Sequence, residues 1–215
     1  MTGHRFTFHG AVLEARASGA LWWPDLRVLT IGDLHLGKAQ RAARRGGGLL
    51  PPYEMAETLG RLDAEIAALL PATVVALGDS FDDPEAVARM LDTDALWLAR
   101  LMAGREWVWV AGNHDPGPLE AGGAQRAAWH AQGLAFRHIA TGAVAEVSAH
   151  YHPKARLAGT ARPCFLIDAA RVILPAFGAY AGGLDTRHAP LPGLMGPDAV
   201  AVLTGTRARA VPMPR

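Results

Sequence analysis

Short apolar runs alternate with amphipathic stretches through the first half of the chain. Residues 27–31, Arg-Val-Leu-Thr-Ile, are rich in β-branched side chains and ended by Gly32, which predicts a strand. In 52–70, Met55, Leu59, Leu62, Ile66 and Leu69 recur at spacings of three and four, which predicts a helix with one apolar face. Pro51 and Pro52 open that segment and Pro71 closes it. Residues 73–77 predict a second strand, ended by Gly78. Residues 84–101 predict a second helix, with Val87, Leu91, Leu98 and Leu101 on one side, and 107–110 a third strand, ended by Ala111 and Gly112. This strand–helix alternation predicts parallel neighbours joined by right-handed crossovers. The second half changes character. Segments 135–138, 144–149, 164–168, 171–174, 199–203 and 209–211 are short strand candidates, and 6–13 and 21–23 are also extended in pattern. Ala169 and Ala170 can close a hairpin, although they lack the usual Asn-Gly signal. Few helices are left for this half, so its strands are expected to form a second, partly antiparallel sheet. No low-complexity linker or long repeat divides the 215 residues, and one domain over 1–215 is expected.

Composition narrows the class. Half the residues are hydrophobic and 19% are charged, which excludes disorder for the bulk of the chain. The 21 Lys+Arg and 20 Asp+Glu leave a net charge of +1, which excludes a strongly basic nucleic-acid coat or an acidic tail. Arginine supplies nearly all the positive charge, because Lys38 and Lys154 are the only lysines. The single cysteine, Cys164, excludes a disulfide scaffold and a Cys-based zinc finger, and points to a reducing compartment. No apolar run reaches the ~18 residues of a membrane span. Residues 1–10 lack the apolar stretch of a secretory signal. A cytoplasmic location is therefore expected.

The chemistry concentrates at the strand ends. Gly32-Asp33, Gly78-Asp79 and Gly112-Asn113 each put an oxygen donor just past a predicted parallel strand. In open α/β sheets the carboxyl ends of the strands form the ligand crevice, so three such side chains should converge. Asp33 and His35 sit two residues apart and face the same way if the backbone stays extended. Asn113-His114-Asp115 supplies an amide, an imidazole and a carboxylate in a row. His150 and His152 repeat the two-residue spacing, and His138 closes another strand candidate. A single Asp or Asn after a strand is ordinarily a turn or cap residue; four such motifs in order argue for a site. Mixed nitrogen and oxygen donors suit Mn²⁺, Fe²⁺, Zn²⁺ or Ni²⁺ better than Ca²⁺. The set exceeds the needs of one tetrahedral ion, whereas two metals sharing a carboxylate would use it all.

Asp33-Leu-His35, Gly78-Asp79-x-x-Asp82, Gly112-Asn-His-Asp115, His138 and Ala149-His-Tyr-His152 resemble the ordered signature of calcineurin-like metallophosphoesterases. The segments around Lys38, Lys154 and residues 174–184 further resemble the bacterial ligase-associated DNA damage response endonuclease subfamily. The resemblance implies an α/β fold, a four-layer α/β/β/α sandwich with two mixed sheets flanked by helices. It implies a metal-dependent phosphoesterase that hydrolyses phosphodiester bonds, a DNA endonuclease linked to repair. A small-molecule or cyclic-nucleotide phosphodiesterase or phosphatase is the alternative of the same class, and a non-catalytic DNA-repair interaction module the alternative of another. The implied cofactors are two divalent ions, Mn²⁺ first, with Fe, Zn, Ni or Mg as alternatives. One ion takes Asp33, His35, Asp79 and His152; the other takes Asp79, Asn113, His138 and His150, with His130 the rival to His138. His114 is implied as the proton donor, oriented by Asp115. The implied partners are a DNA or nucleotide phosphodiester, with a DNA ligase and a helicase as functional neighbours. Two departures stand out. Ala149 replaces the family's usual glycine, for which a small backbone adjustment is expected. Asp82 replaces the subfamily's usual histidine, adds negative charge beside the ions, and is expected to hold water or Asp83.

Arg41, Arg44 and Arg45 follow the first motif, either gripping a substrate phosphate or forming a solvated loop before Gly46. Arg44 and Arg45, with Lys38 and Lys154, are the substrate-binding candidates. Trp107 and Trp109 alternate with valines, a pattern that favours a buried strand over base stacking. Tyr180 and its neighbouring glycines suggest a rim loop. Cys164 is expected to be inert core. A net charge of +1 gives no long-range pull on duplex DNA, so weak, salt-sensitive binding with a preference for single strands is expected.

Overall fold

The computed structural model describes residues 3–44, 46, 53–83, 85–117 and 119–215, and among them the strands form two sheets. The first follows chain order: β1 (His4–Phe8), β2 (Ala11–Ala15), β3 (Leu21–Trp23), β4 (Val28–Ile31), β5 (Thr73–Leu77), β6 (Glu106–Val110) and β7 (Ala124–Arg126). β1 to β4 form an antiparallel meander, and β4 to β7 are parallel. Helices α1 (Lys38–Arg44) and α2 (Glu54–Leu69) lie between β4 and β5 in the chain, and α3 (Asp92–Met102) between β5 and β6. The second sheet uses β8 (Trp129–Ala131), β9 (Leu134–Phe136), β10 (Glu146–Ser148), β11 (Lys154–Leu157), β12 (Thr160–Ile167), β13 (Arg171–Ile173), β14 (Val200–Leu203) and β15 (Arg209–Pro212). Its order is β15-β14-β12-β13-β10-β9-β8, with β11 on β12, and its β9–β10–β13 core is parallel.

β4, β5 and β6 are apolar at nearly every position because both their faces are buried. The two-residue period sorts their side chains into two cores. Val28, Val75, Leu77, Val108 and Val110 face the second sheet and meet Phe136, Val147, Phe165, Val172 and Val202. Leu29, Ile31, Val74, Ala76, Trp107 and Trp109 face outward and are covered by Leu59, Leu62 and Ile66 of α2 and Leu98 and Leu101 of α3. Both tryptophans are thus buried core. On the far side of the second sheet, Cys164, Leu166, Ile173 and Leu203 pack under Leu191, Met195 and Met213. The expected sandwich is present, but its fourth layer is thin: one turn of helix, α4 (Leu191–Leu194), and irregular chain. No described helix is long and apolar enough to cross a membrane.

Several local expectations change. The segment from 84 does not enter its helix until Asp92; described residues before it form turns, and Leu91 stays 64% exposed. Asp92 and Asp94 then occupy the first turn, where the helix dipole favours carboxylates. Residues 38–44 are helical, not a loop. The run 6–13 is two strands separated by a turn at His9 and Gly10. The hairpin at Ala169-Ala170 needs no Asn-Gly pair because Asp168 supplies the turn: its Oδ1 accepts from the Ala170 and Arg171 amides, both at 2.7 Å.

Thr58 ties α2 to the segment beside the strand ends. Fully buried, its hydroxyl donates to Glu54 O at 2.9 Å and accepts from Ala179 N at 2.9 Å. Thr58→Val keeps the shape but strands the Ala179 amide, so a loss of about 1–3 kcal/mol is expected. Urea unfolding checks this; an unchanged midpoint and slope would show that the tie contributes nothing.

Candidate metal centre

β4, β5 and β6 end side by side, and the chain leaves each strand abruptly. Asp33 (φ 46°), His35 (φ 47°), Asp79 (φ 47°), His150 (φ 69°) and His152 (φ 45°) all adopt left-handed backbone conformations. The Asp-x-His and His-x-His pairs therefore converge through left-handed steps, not through the extended backbone that their spacing suggests. Such residues are strained, and persist only where their surroundings over-determine them. Here parallel pairing continues past the strands. His35 N donates to Asp79 O, Leu36 N to Ser80 O and Asp82 N to Leu36 O, each at 2.9 Å.

Asp115 completes the restraint. Its Oδ1 accepts from Asp79 N at 2.9 Å and Gly112 N at 3.0 Å; its Oδ2 accepts from Ser80 N at 2.7 Å and Phe81 N at 3.2 Å. One carboxylate thus binds the end of β6 to the loop after β5. Gly112 makes this possible, since a Cβ there would lie 2.1 Å from Asp79 N and 2.6 Å from Asp115 Oδ1. Burial pushes the Asp115 carboxyl up, and the backbone donors pull it back only in part. The expected orientation of His114 by Asp115 is not what the structure contains, because both Asp115 oxygens are taken by backbone amides.

The candidate ligands gather in two groups. Asp33, His35 and His152 form one, and Asp79, His138 and His150 the other. His152 Nε2 lies 3.2 Å from Asp33 Oδ1 and 3.4 Å from His35 Nε2. In the second group, His138 Nε2 lies 3.0 Å from Asn113 Oδ1, 3.0 Å from His150 Nδ1 and 3.4 Å from Asp79 Oδ2. His130, the rival to His138, is exposed on β8. Tautomers follow from the acceptors. His138 Nδ1 is 2.8 Å from Leu77 O, and a carbonyl can only accept, so in the neutral ring Nε2 presents a lone pair to other acceptors. Asp33 Oδ1 is buried without a hydrogen-bond donor. Converging imidazole nitrogens and carboxylate oxygens, one of them an orphaned buried acceptor, are what divalent cations satisfy, and the two groups of residues fit such ions.

Charge within the groups is mutually compensating. Burial opposes ionisation of Asp79, but His138 and the His114 amide outweigh it and hold this carboxyl well below the usual range. Burial likewise opposes the charged form of His138, yet Asp79 and Asp33 raise its pKa. Burial and the neighbouring His138 lower that of His150. Ala149, fully buried, puts its methyl where a Cβ on Gly32 would come within 2.8 Å. Gly32 therefore makes the room that Ala149 needs.

Asp82 is partnered neither by Asp83 nor by water alone. Its Oδ1 lies 3.0 Å from His35 Nδ1 and its Oδ2 accepts from Arg41 Nη1 at 3.0 Å. The carboxylate thus stands on the Nδ1 side of the ring, while Nε2 faces His152 of the first group. Burial would raise the Asp82 carboxyl, but His35 and Arg41 hold it down at about 2. His35, Asp82 and His114 form a third cluster of donors, whose positive charge Arg41 already supplies. His114 Nδ1 is 3.0 Å from Asp82 O and 3.1 Å from Arg41 Nη1. Arg41 and Asp82 are 41 positions apart, and no local pattern signals their pairing. Arg44 pairs with Asp83, so its charge is offset within the chain, and Arg45 lies outside the described residues. Lys38 opens α1 near Glu54, and Lys154 reaches Ala181 O at 3.4 Å.

A family model for the calcineurin-like phosphoesterases matches residues 26–159. No curated protein matches the chain. A solved structure described as the Pseudomonas putida nuclease MPE is similar to this chain. It covers 98% of this chain and 100% of that one, with 26% sequence identity and a TM-score of 0.73.

Asp115→Ala removes the acceptor of four buried amides, so a loss of at least about 3 kcal/mol is expected. Asp115→Asn should recover less than half of that, because its amide nitrogen would face donors. Guanidinium unfolding of both variants checks this; losses below about 1 kcal/mol would mean that the loops are held elsewhere.

Proposed function

Since the chain belongs to the calcineurin-like phosphoesterase family and is a hydrolase of ester bonds, we propose that it is a phosphodiesterase that cuts DNA in a repair setting, with Mn²⁺ as its metal. The observation that carries the ionic part is the pair of donor groups, Asp33/His35/His152 and Asp79/His138/His150, with Asn113 beside the second. The nuclease part is supported by the similarity to the Pseudomonas nuclease and by the 174–184 segment. Asp33, His35, Asp79 and His152 would hold one ion; Asp79, Asn113, His138 and His150 the other, with Asp79 shared.

When bound, the ions supply the Lewis acidity that activates water and offsets phosphoryl charge. The chain's residues do the rest. Water adds at phosphorus, the P–O bond to the leaving group breaks, and the departing oxygen needs a proton. Arg41 Nη1 can only donate, and where His114 Nδ1 accepts from it the neutral ring carries its proton on Nε2, the atom that would deliver it. Asp115 acts at one remove, by fixing the loops that carry Asp79 and Asn113. Arg41 and Asp82 hold His35 and His114 between them. Lys154 lines the pocket that also holds His152, and Lys38 opens α1 near Glu54; both are substrate-binding candidates. Arg44 acts on substrate only if it leaves Asp83.

Wild-type protein loaded with Mn²⁺ should bind two ions per chain, nick plasmid, cleave oligonucleotides and turn over bis-p-nitrophenyl phosphate. Asp79→Asn should lower both ion occupancies and slow every substrate by more than about 100-fold. Elemental analysis and anomalous scattering check the first point. Cleavage of DNA no faster than by Asp79→Asn, with the model diester still turned over, would reject the nuclease and leave a small-molecule phosphodiesterase.

His114→Ala should keep both ions and lose about 10²–10⁴-fold on diesters with poor leaving groups. It should lose far less on p-nitrophenyl esters, whose leaving group needs little proton help. Equal losses on both would assign His114 to positioning.

A further inference from the structure

A pocket of about 210 Å³ opens beside His152, lined among others by Glu57, Arg61, Lys154, Ala176 and Tyr180. That is the space of about seven waters, enough for one nucleoside and too small for a base pair. Because His152 belongs both to this pocket and to the first donor group, whatever fills the pocket adjoins the reacting centre. Its wall from 176 to 182 carries only alanine and glycine apart from Phe177 and Tyr180, and so leaves a flat slot. Phe177 is fully buried, whereas Tyr180 is 47% exposed on a left-handed backbone (φ 57°).

The two cations of the lining differ in kind. Arg61 is fixed: its Nη2 donates to Ser18 O at 2.7 Å and its Cζ sits 4.7 Å over the Phe177 ring. Glu57, one helical turn earlier on α2, offsets it. Lys154 has a clamped backbone, its N donating to Leu184 O at 2.8 Å and its O accepting from Thr186 N at 3.0 Å. Its ammonium, by contrast, has no carboxylate partner among the described residues and reaches only Ala181 O, at 3.4 Å. A cation held at its backbone and met at its tip by a carbonyl and no carboxylate among the described residues, in the same pocket as an exposed aromatic ring, matches the two surfaces of a nucleotide: an anionic phosphate and a π face.

We propose that this pocket seats the nucleoside on one side of the scissile phosphate, its base against Tyr180 and a phosphate oxygen against Lys154. The inference rests on the phosphodiesterase reading above. The same nucleoside chemistry could come from a nucleic-acid strand or from a cyclic mononucleotide.

The test compares two Mn²⁺-dependent substrates with one leaving group, thymidine 5′-(p-nitrophenyl) phosphate and methyl p-nitrophenyl phosphate. Wild type should prefer the thymidine ester at least tenfold in kcat/KM, chiefly through KM. Tyr180→Ala should raise KM for the thymidine ester at least fivefold more than for the methyl ester, whereas Lys154→Ala should raise KM for both esters at least fivefold, because both carry the phosphate, and Lys154→Arg should restore most of that loss. Fluorescence anisotropy of a labelled oligothymidylate in EDTA should show at least fivefold weaker binding by the same two alanine variants. Unlabelled oligothymidylate and 2′,3′-cyclic CMP, used as competitors, separate the two sources; displacement by either supports the pocket and displacement by neither overturns it. Turnover of the methyl ester without preference for thymidine, equal losses on both esters for Tyr180→Ala, or no loss on either ester for Lys154→Ala, would also overturn it. Turnover of neither ester with any divalent metal would reject the hydrolytic reading instead, while oligothymidylate binding would still report on the pocket.

Discussion

The four hydrogen bonds that the Asp115 carboxylate accepts from backbone amides are the constraint on which the site depends. Asp79 and Asn113 sit on different strand ends, and the parallel ladder between β5 and β6 stops at Leu77 and Val110. Beyond those residues nothing regular holds the chains in register. Asp115 does so with an acceptor for each loop amide that would otherwise be buried unpaired. The geometry also explains why glycine stands at 112: the carboxylate and the Asp79 amide occupy the volume that any side chain would need.

That restraint lets the chain hold a strained arrangement. Five donor residues lie in left-handed conformations, and imidazole nitrogens and carboxylate or amide oxygens crowd within about 3 Å of one another. The counterweight is packing. β4 to β6 are sandwiched between two apolar cores, so their ends cannot splay to relieve the strain. In this respect the fold is a frame for holding acceptors together until cations arrive, and the short distances between His35 and His152 and between His138 and His150 follow from it.

The parts legible in the sequence are those governed by local pattern. β5 reads directly from 73–77, because a strand buried on both faces is a continuous apolar run. The ligand motifs read from their order, since each follows a strand and a glycine. Pairings between distant residues were not legible. Nothing near Asp82 announces Arg41 or His35 as its partners, and nothing near Asp115 announces four amides from two loops. Helix α3 starts late because Val87 and Leu91 mimic a helical face although Leu91 is exposed. β7 and β8 escaped notice because both are three-residue, half-exposed strands with no apolar run to mark them. The 176–182 stretch looked like a glycine-rich rim, and its role as a pocket wall emerges only when β11 brings Lys154 against it.

Asp82 shows how one residue redistributes charge without touching the donor groups' composition. A neutral histidine at 82 would leave the buried end of the Arg41 guanidinium without its carboxylate partner. With a carboxylate there, Arg41 is neutralised in place, Asp82 Oδ1 stands 3.0 Å from His35 Nδ1, and the net charge of the Arg41–Asp82 pair is zero. The negative charge that the substitution adds therefore does not stand bare before an anionic substrate. It is spent on a buried pair beside His114 whose side chains are 5% and 22% exposed, where solvent screens it little. An arginine so held cannot swing to a phosphate without uncovering Asp82. Among the described residues around the pocket beside His152, Lys154 by contrast meets a carbonyl, Ala181 O, and no carboxylate.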